Sequence, residues 1–440
     1  TRHLAVEILT QIDLHQAYPN LELKKRLKNS ALSPRDKAFV TALVYGVIKR
    51  KYQLDFVIDE LSKTKRNKIS HRILQVLRIG TFQILFFDKV PSFAAVNECV
   101  ELGKKYSRGK AGGFVNGLLR NLVRQKDAIQ EKLQQGILQY SVSQELFDLV
   151  SSQYGERFAH EFFMEFLKES PVTIRINQSK TSREKVRDQL KKDGIDVGEG
   201  RFFDYCLQLD STVDIASNDS FRKGEFIVQD EGAMFSVEAL EVKEGDRVLD
   251  MCCAPGGKTT HIAERIKQPR NVTARDLYNH KIQLVRQNLQ RLGLNDRVYT
   301  EVYDGTTFDE KDRNRYDKVL LDAPCSGLGI IRRKPDIKYG TSEEKRNALV
   351  EIQRRMVLNG FDSLKPGGIL VYTTCTINKN ENEGMVDFLL KNRKEARVKK
   401  NHAHKILEEE KEEDGCIRLY PQIHKVDGFF ICAIEKKENE

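Results

Sequence analysis

Residues 247–266 read RVLDMCCAPGGKTTHIAERI, in which a Gly-rich loop joins a short apolar run to an amphipathic segment. The apolar pair Val248 and Leu249 predicts a strand, and the spacing of apolar residues after Gly257 predicts a helix. Strand-like and helix-like runs then alternate through NVTARD, VYTEVYD, DKVLLDAPC and KPGGILVYTTC. Strands that alternate with helices indicate a mostly parallel sheet covered on both faces. We therefore predict an α/β domain over residues 231–440.

The last two strand-like runs, CIRLYPQ and GFFICAIEK, have no long helix between them, so they predict an antiparallel hairpin at one edge of the sheet. In a parallel sheet, ligands bind outside the carboxyl ends of the strands. Five side chains fall at or just past predicted strand ends and are expected to face one crevice: Asp250, Asp276, Asp304, Asp322 and Cys375.

The first third of the chain has the pattern of a helical bundle. In LSPRDKAFVTALVYGVIKR, Ser33 is a helix N-cap, Pro34 occupies the first helical position, and an apolar stripe follows. We assign this bundle to residues 1–130, with Cys99 in its apolar core. Residues 131–230 combine connecting helices with short strands such as VTIRIN, which predicts a small α+β subdomain.

Positive charge is concentrated in the bundle. Residues 1–130 hold 24 Lys and Arg against 11 Asp and Glu, a net charge of +13, whereas the whole chain carries +10. A segment this basic indicates a module that binds a polyanion such as RNA, although a solvated basic face would give the same count.

The composition excludes several other classes of protein. Of 440 residues, 40% are hydrophobic, yet no apolar run approaches the roughly 18 residues of a membrane helix, and no signal-peptide pattern is present. The eight cysteines form no C-x-x-C pair, which argues against a disulfide scaffold and against a zinc site. We expect a cytoplasmic protein without a metal or a membrane partner.

The loop at residues 252–258, CCAPGGK, resembles the end of a nucleotide-binding P-loop but lacks its first glycine, since Cys252 stands five positions before Gly257. A short Gly-rich turn of this kind lets a ligand approach the backbone closely. Asp276, 19 residues beyond Gly257, stands where such folds bind ribose hydroxyls. No basic cluster for a pyrophosphate accompanies it, so we expect an adenosine-type ligand without phosphates, S-adenosylmethionine being the common one. A tight turn with an incidental carboxylate is the alternative.

Two cysteines follow predicted strands, Cys325 in DAPCSGLG and Cys375 in YTTCTIN. A thiolate that adds to C6 of a pyrimidine makes C5 nucleophilic enough to accept a methyl group, after which a base removes the C5 proton and the thiolate leaves. The reaction also needs an acidic group near N3 or the exocyclic amine, and Asp322 fits that requirement. From the residues alone either thiol is a candidate nucleophile.

The blocks DMCCAPGGKT, DAPCSGLG and YTTCTINKNENE resemble the signature blocks of the Sun/Fmu (RsmB/NOP) family of RNA cytosine-C5 methyltransferases. The helical blocks of the first third, among them FVNGLLR, resemble the NusB-like RNA-binding domain fused to bacterial members. The resemblance implies a NusB-like bundle, a small middle subdomain and a Rossmann-like class I methyltransferase domain. It also implies 5-methylcytosine formation in small-subunit (16S) ribosomal RNA, with S-adenosylmethionine as donor.

The resemblance also implies roles for individual residues. Cys375 matches the nucleophile of the family and Cys325 the cysteine that assists product release, whereas in DNA cytosine methyltransferases the Pro-Cys cysteine attacks. Asp322, the candidate acid, also matches a donor-binding residue of the family. Cys253 stands where the family usually has alanine. The implied donor site comprises Cys252, Cys253, Ala254, Pro255, Gly256, Gly257, Lys258, Asp276, Asp304 and Asp322.

Two other functions stay open on the sequence. One is a non-catalytic RNA-binding assembly factor, which both thiols and Asp322 argue against, and the other is methylation of a different RNA such as tRNA. The expected partner is small-subunit ribosomal RNA, and no segment indicates an obligatory protein partner.

Overall fold

A computed structural model describes residues 1–15, 17–210, 214–407 and 414–438. The chain divides into two compact units. The first comprises Thr1–Leu167 together with Lys334–Gly340, and the second comprises Lys168–Arg333 together with Thr341–Glu440.

The first unit is all-helical, because its segments repeat apolar residues at helical spacing. Among its described helices, Pro34–Lys49 and Gln144–Tyr154 each begin at a serine N-cap. Ser33 accepts a hydrogen bond from the Asp36 backbone N–H at 3.2 Å, as its N-cap position predicts. Its α-helices are Arg2–His15, Pro19–Lys28, Pro34–Lys49, Lys51–Leu61, His71–Phe86, Ser92–Ser107, Gly112–Arg124, Lys126–Leu133, Gln144–Tyr154, Glu156–Glu165 and the short Ile337–Gly340.

The core of this bundle is apolar, but it also holds the buried Arg78, which is paired with acidic side chains. Leu43, Val47 and Leu118 are buried, and Cys99 is fully buried among them, as the sequence predicts. Burial raises the pKa of the Cys99 thiol to about 12, so it stays protonated and inert. The Arg78 guanidinium binds both oxygens of Asp55, at 2.7 and 2.9 Å, which compensates for the burial of the charges.

The segment Lys334–Gly340 belongs to this helical unit although its neighbours in sequence belong to the other one. Lys338 donates to the Lys49 carbonyl at 2.5 Å and Tyr339 donates to the Ile48 carbonyl at 2.6 Å. Both acceptors lie in the last turn of the helix Pro34–Lys49, whose terminal carbonyls have no partner within the helix. The two side chains therefore cap that helix.

The second unit begins with a small α+β subdomain, in agreement with the sequence. Its antiparallel sheet runs in the order Val197–Glu199, Cys206–Leu209, Val172–Ile176 and Phe226–Val228. The helix Arg183–Lys192 packs on it, and its residues Val186 and Leu190 are buried against the sheet. The short helix Asp219–Arg222 precedes the last strand of this subdomain, and the helix Glu231–Glu238 leads from the subdomain into the main sheet.

The main sheet has eight strands, five of them parallel, which confirms the predicted α/β architecture. The terminal strand Phe429–Lys436 runs antiparallel to its neighbour Leu364–Thr374, and Cys416–Leu419 pairs with it as the predicted hairpin. The sequence did not indicate Ala396–Val398, which also pairs with the terminal strand. From that edge the order is Ala396–Val398, Phe429–Lys436, Leu364–Thr374, Tyr316–Asp322, Val248–Asp250, Val272–Asp276 and Val298–Val302.

Helices cover the sheet because their apolar stripes match its apolar faces. Ile282, Val285 and Leu289 of one helix pack into the core with strand residues such as Val272. Across the described residues, no helix combines the length and apolarity needed to cross a membrane. The helices of the sheet domain are Gly257–Arg265, Asn279–Leu292, Glu343–Asp362, Glu383–Asn392, His402–Leu407 and Pro421–His424.

Candidate active site

Three carboxylates end three adjacent strands of the main sheet. Asp276, Asp250 and Asp322 are the last residues of Val272–Asp276, Val248–Asp250 and Tyr316–Asp322, which are neighbours in the sheet. The next strand along, Leu364–Thr374, is followed directly by Cys375. Because the strands are parallel, all of these side chains lie at the same edge of the sheet.

The Gly-rich loop packs closely against the carboxyl ends of these strands, through a close backbone approach and a hydrogen bond. Gly256 has φ +105°, which favours glycine, and a Cβ there would stand 3.4 Å from the Val285 Cα. The Thr259 hydroxyl donates to Asp250 Oδ2 at 2.7 Å, while Asp250 Oδ1 has no protein partner although it is buried. Burial raises the pKa of Asp250 to about 7, against the lowering effect of the Thr259 bond. The loop also contains a cis peptide between Ala254 and Pro255.

Asp276 and Asp304 differ in what surrounds them. Asp276 is 4% exposed, and its Oδ1 lies 3.3 Å from Lys281 Nζ. Asp304 lies two residues beyond its strand and is exposed. Its Oδ1 accepts from both the backbone N–H and the hydroxyl of Thr306, and these bonds lower its pKa. Asp276 therefore lies buried at the carboxyl ends of the strands, whereas Asp304 lies in an exposed turn.

Lys258 forms an ion pair with Asp322. Lys258 Nζ stands 2.7 Å from Asp322 Oδ2 and 5.1 Å from the centre of the Phe429 ring. The lysine side chain is only 11% exposed, whereas that of Asp322 is 29% exposed. The pair links the Gly-rich loop to the strand end near Cys325 and leaves part of the Asp322 carboxylate exposed.

The two predicted thiols meet at this edge. Cys325 Sγ and Cys375 Sγ lie 3.5 Å apart, and both residues are partly exposed. The contact with Cys375 raises the pKa of the Cys325 thiol well above its usual range, and burial raises it further. Burial likewise raises the pKa of Cys252, with Asp322 and Asp250 acting in the same direction. Cys252 and Cys325 are thus held as neutral thiols.

The backbone around the thiols is closely packed. The Gly329 N–H donates to the Cys375 carbonyl at 2.9 Å, and the Gly428 N–H donates to the Gly329 carbonyl at 2.9 Å. A Cβ on Gly329 would stand 2.2 Å from the Gly428 carbonyl oxygen, so this approach requires glycine. The loop after Cys325 is thereby fixed to both Cys375 and the terminal hairpin.

The sequence indicated which side chains lie at the carboxyl ends of the strands, but it did not indicate which of them contact each other. It gave no signal for the pairing of Lys258 with Asp322, which are 64 positions apart. It also missed Glu381, a fully buried carboxylate behind the two thiols. Glu381 belongs to the same sequence block as Cys375, but the sequence alone does not show that its carboxylate is buried. That burial is seen only when the groups that bind the carboxylate are in place around it.

Three family models match successive parts of the chain. The NusB family matches residues 1–124, an RsmF/B-like ferredoxin-like domain matches residues 144–216, and 16S rRNA methyltransferase RsmB/F matches residues 237–435. These matches confirm the predicted fold classes of the helical, middle and α/β parts.

Whole-length relatives are found among bacteria. A probable ribosomal RNA small subunit methyltransferase B of Bacillus subtilis is 34% identical over 99% of this chain and 98% of its own length. Ribosomal RNA small subunit methyltransferase B of Proteus mirabilis is 32% identical, with coverages of 99% and 98%.

Solved structures share the fold. The crystal structure of PH0851 superposes with a TM-score of 0.82 at 24% identity, over 99% of this chain and 98% of that one. A methyltransferase homologue from Pyrococcus horikoshii gives a TM-score of 0.58 at 29% identity, over 68% of this chain and 97% of its own.

Proposed function

The chain belongs to the 16S rRNA methyltransferase RsmB/F family, and from this premise we propose that it methylates C5 of a cytosine in small-subunit ribosomal RNA. S-adenosylmethionine is the proposed donor. The observation that carries the proposal is the pair of thiols, with Cys325 Sγ and Cys375 Sγ 3.5 Å apart at a strand edge lined by carboxylates. A protein that only binds RNA has no use for two thiols in this arrangement.

Cys375 is the proposed nucleophile. Its thiolate adds to C6 of the cytosine, which breaks the C5–C6 double bond and makes C5 nucleophilic. After C5 has taken the methyl group, a base removes the C5 proton, the C6–S bond breaks and the double bond returns. Cys325, held neutral beside Cys375, assists this last step. Asp322 contacts the N3 edge of the base through the exposed part of its carboxylate.

The residues at the sheet edge fit a sulfonium donor, which supplies an electrophilic methyl group. Asp250 Oδ1 is buried without a protein partner, and Asp276 is a buried carboxylate at the next strand end. Two carboxylates suit hydroxyl groups and a positive charge better than they suit phosphates. We assign donor binding to the loop 252–258 together with Asp276, Asp304 and Asp322.

RNA binding is assigned to the helical part. We propose a NusB-like RNA-binding domain at residues 1–130, connecting helices and the small RNA-binding subdomain at 131–230, and the catalytic domain at 231–440. The net charge of +13 in residues 1–130 supports this division, because a polyanion is held by many distributed cations.

Methyl transfer to defined RNA tests the proposal. The full-length protein is incubated with labelled S-adenosylmethionine and 16S ribosomal RNA, and bisulfite sequencing then locates any 5-methylcytosine. We expect one cytosine to become resistant to bisulfite, and Cys375→Ser to abolish the signal. Label that enters the RNA at a position other than cytosine C5 would refute the reaction, and no transfer to 16S RNA together with transfer to tRNA would refute the substrate.

A further inference from the structure

Glu381 lies six residues beyond Cys375 and is completely buried, which is unusual for a carboxylate. Four hydrogen bonds compensate for its burial. Glu381 Oε2 accepts from the Ser326 backbone N–H at 2.8 Å and from Gln353 Nε2 at 3.1 Å. Glu381 Oε1 accepts from the Ser326 hydroxyl at 2.5 Å and from Asn378 Nδ2 at 3.0 Å.

These donors come from different parts of the chain. Ser326 follows Cys325 directly, Asn378 is three residues beyond Cys375, and Gln353 lies in the helix Glu343–Asp362. Gln353 Nε2 also donates to the Pro324 carbonyl at 2.8 Å, so the helix contacts the residue before Cys325 as well. One carboxylate therefore holds the Cys325 loop, the Cys375 loop and a covering helix.

The residues that follow the two cysteines are also joined to each other. The Ser326 hydroxyl lies 2.8 Å from the Thr376 hydroxyl. Behind them, the Tyr372 hydroxyl donates to the Glu381 carbonyl at 2.6 Å, which fixes the backbone of Glu381 to the strand that leads to Cys375. Glu381 is thus anchored to one cysteine's strand and binds the other cysteine's loop.

We propose that Glu381 is a positioning residue that fixes the Cys325 and Cys375 loops in the relative position that brings the two thiols together. The assignment of roles to the thiols rests on the proposed function, but the positioning does not. The negative charge of Glu381 also adds to the raised pKa of Cys325, after the larger effects of Cys375 and burial. Glu381 therefore favours the protonated form of Cys325 as well as its position.

The variant Glu381→Gln keeps the shape and removes the charge, and it places an NH2 group among four donors. A thiol displaced by about 1 Å is expected to lower kcat about 100-fold, while the KM for S-adenosylmethionine changes less than about 3-fold. Asp312→Asn is the matched control, because Asp312 is a buried carboxylate in the same unit that binds Arg275 at 2.6 Å, and it precedes the strand Tyr316–Asp322 at the end away from Cys325. It should keep the wild-type kcat even if it lowers the melting temperature.

A second readout does not depend on methyl transfer. The pH dependence of iodoacetamide alkylation is measured separately for Cys325 and Cys375 by peptide mass spectrometry. In Glu381→Gln the alkylation of Cys325 should begin at a lower pH than in the wild type, because a negative charge near the thiol has been removed. Ser326→Ala removes the hydroxyl that donates to Glu381 Oε1 and keeps the negative charge of Glu381. This variant replaces Glu381→Gln in the test if Glu381→Gln does not fold. It should lower kcat by a smaller factor without moving the Cys325 profile to lower pH.

Wild-type kcat in Glu381→Gln, or an equal loss in Asp312→Asn, would overturn the proposal. An unchanged Cys325 alkylation profile in Glu381→Gln would overturn its electrostatic part. If the wild-type protein transfers no methyl group at all, the proposed function fails. The positioning is then judged from oxidation of Cys325 and Cys375 to a disulfide by a mild oxidant, which should be slower in Glu381→Gln than in the wild type and would overturn the positioning if it is equally fast.

Discussion

The helical bundle and the carboxyl edge of the main sheet carry opposite charges in different arrangements. In the bundle, lysines such as Lys63, Lys65 and Lys68 lie exposed on the segment between the helices Lys51–Leu61 and His71–Phe86. At the sheet edge, Asp250 and Asp276 are buried at defined strand ends. The affinity of a protein for a polyanion increases with the number of exposed cations that contact it. A buried group, in contrast, binds its ligand only in one defined position. Substitutions should therefore have graded effects in the bundle and large, specific effects at the sheet edge.

The largest effect is expected from Cys375→Ala. Without the nucleophile C5 cannot be activated, so methyl transfer should fall by more than about 10³-fold. Donor affinity, measured by calorimetry, should be unchanged because the donor is assigned to other residues. Cys99→Ala is the control, since Cys99 lies in the bundle core and should affect stability only. Residual transfer above a few per cent would contradict the assignment of Cys375.

Asp276→Ala should weaken donor binding by about 1–3 kcal/mol, because the ribose hydroxyls would lose a charged acceptor. Calorimetry with S-adenosylmethionine measures this loss directly. Asp296→Ala serves as the control, since Asp296 is exposed and precedes the strand Val298–Val302 at its other end. Equal affinities in the two variants would remove Asp276 from the donor site.

The triple substitution of Lys63, Lys65 and Lys68 by alanine should weaken RNA binding about 10-fold and reduce the slope of log affinity against log salt by about 3. Methyl transfer at saturating RNA should stay unchanged. The control replaces the exposed Lys391, Lys394 and Lys437 of the other unit by alanine. If the control triple changes the salt slope as much, RNA affinity is not concentrated in the bundle.

The smallest effect is expected from Cys253→Ala, which restores the residue usual in the family. The Cys253 side chain is 3% exposed and packs in the main core, and a thiol is only slightly larger than a methyl group. Donor affinity should change less than about 3-fold, and stability should fall by roughly 1 kcal/mol or less. A 10-fold change in affinity would show that the thiol itself contacts the donor.

The same division explains what the sequence could predict. Local chemistry determines the start of the helix at Pro34 and the strand ends at Asp250 and Asp276, so patterning found them. The Lys258 and Asp322 pair and the bonds of Glu381 to Ser326 and Gln353 join residues 28 to 64 positions apart. No period or spacing encodes such contacts, because they depend on how separate elements pack.

Two predictions from the sequence were limited, one by the shortness of a strand and the other by where a strand ends. The strand Ala396–Val398 has three residues, too few to show an alternating pattern. Asp304 was predicted to stand with the other strand-end carboxylates. Its strand ends at Val302, and Asp304 begins the exposed turn that continues to Thr307, so its contact with the donor stays a prediction. The predicted strand VYTEVYD runs two residues beyond the observed end at Val302, which is the usual size of error for a strand end assigned from sequence.

Denaturing gel electrophoresis after incubation with RNA and S-adenosylmethionine tests the division of labour between the two thiols most directly. Cys325→Ala should accumulate a covalent protein–RNA species, because attack and transfer proceed while elimination stalls. Cys375→Ala should show none, and the wild-type protein should show little. A covalent species in Cys375→Ala with none in Cys325→Ala would reverse the roles, and its absence from both variants would contradict the covalent mechanism.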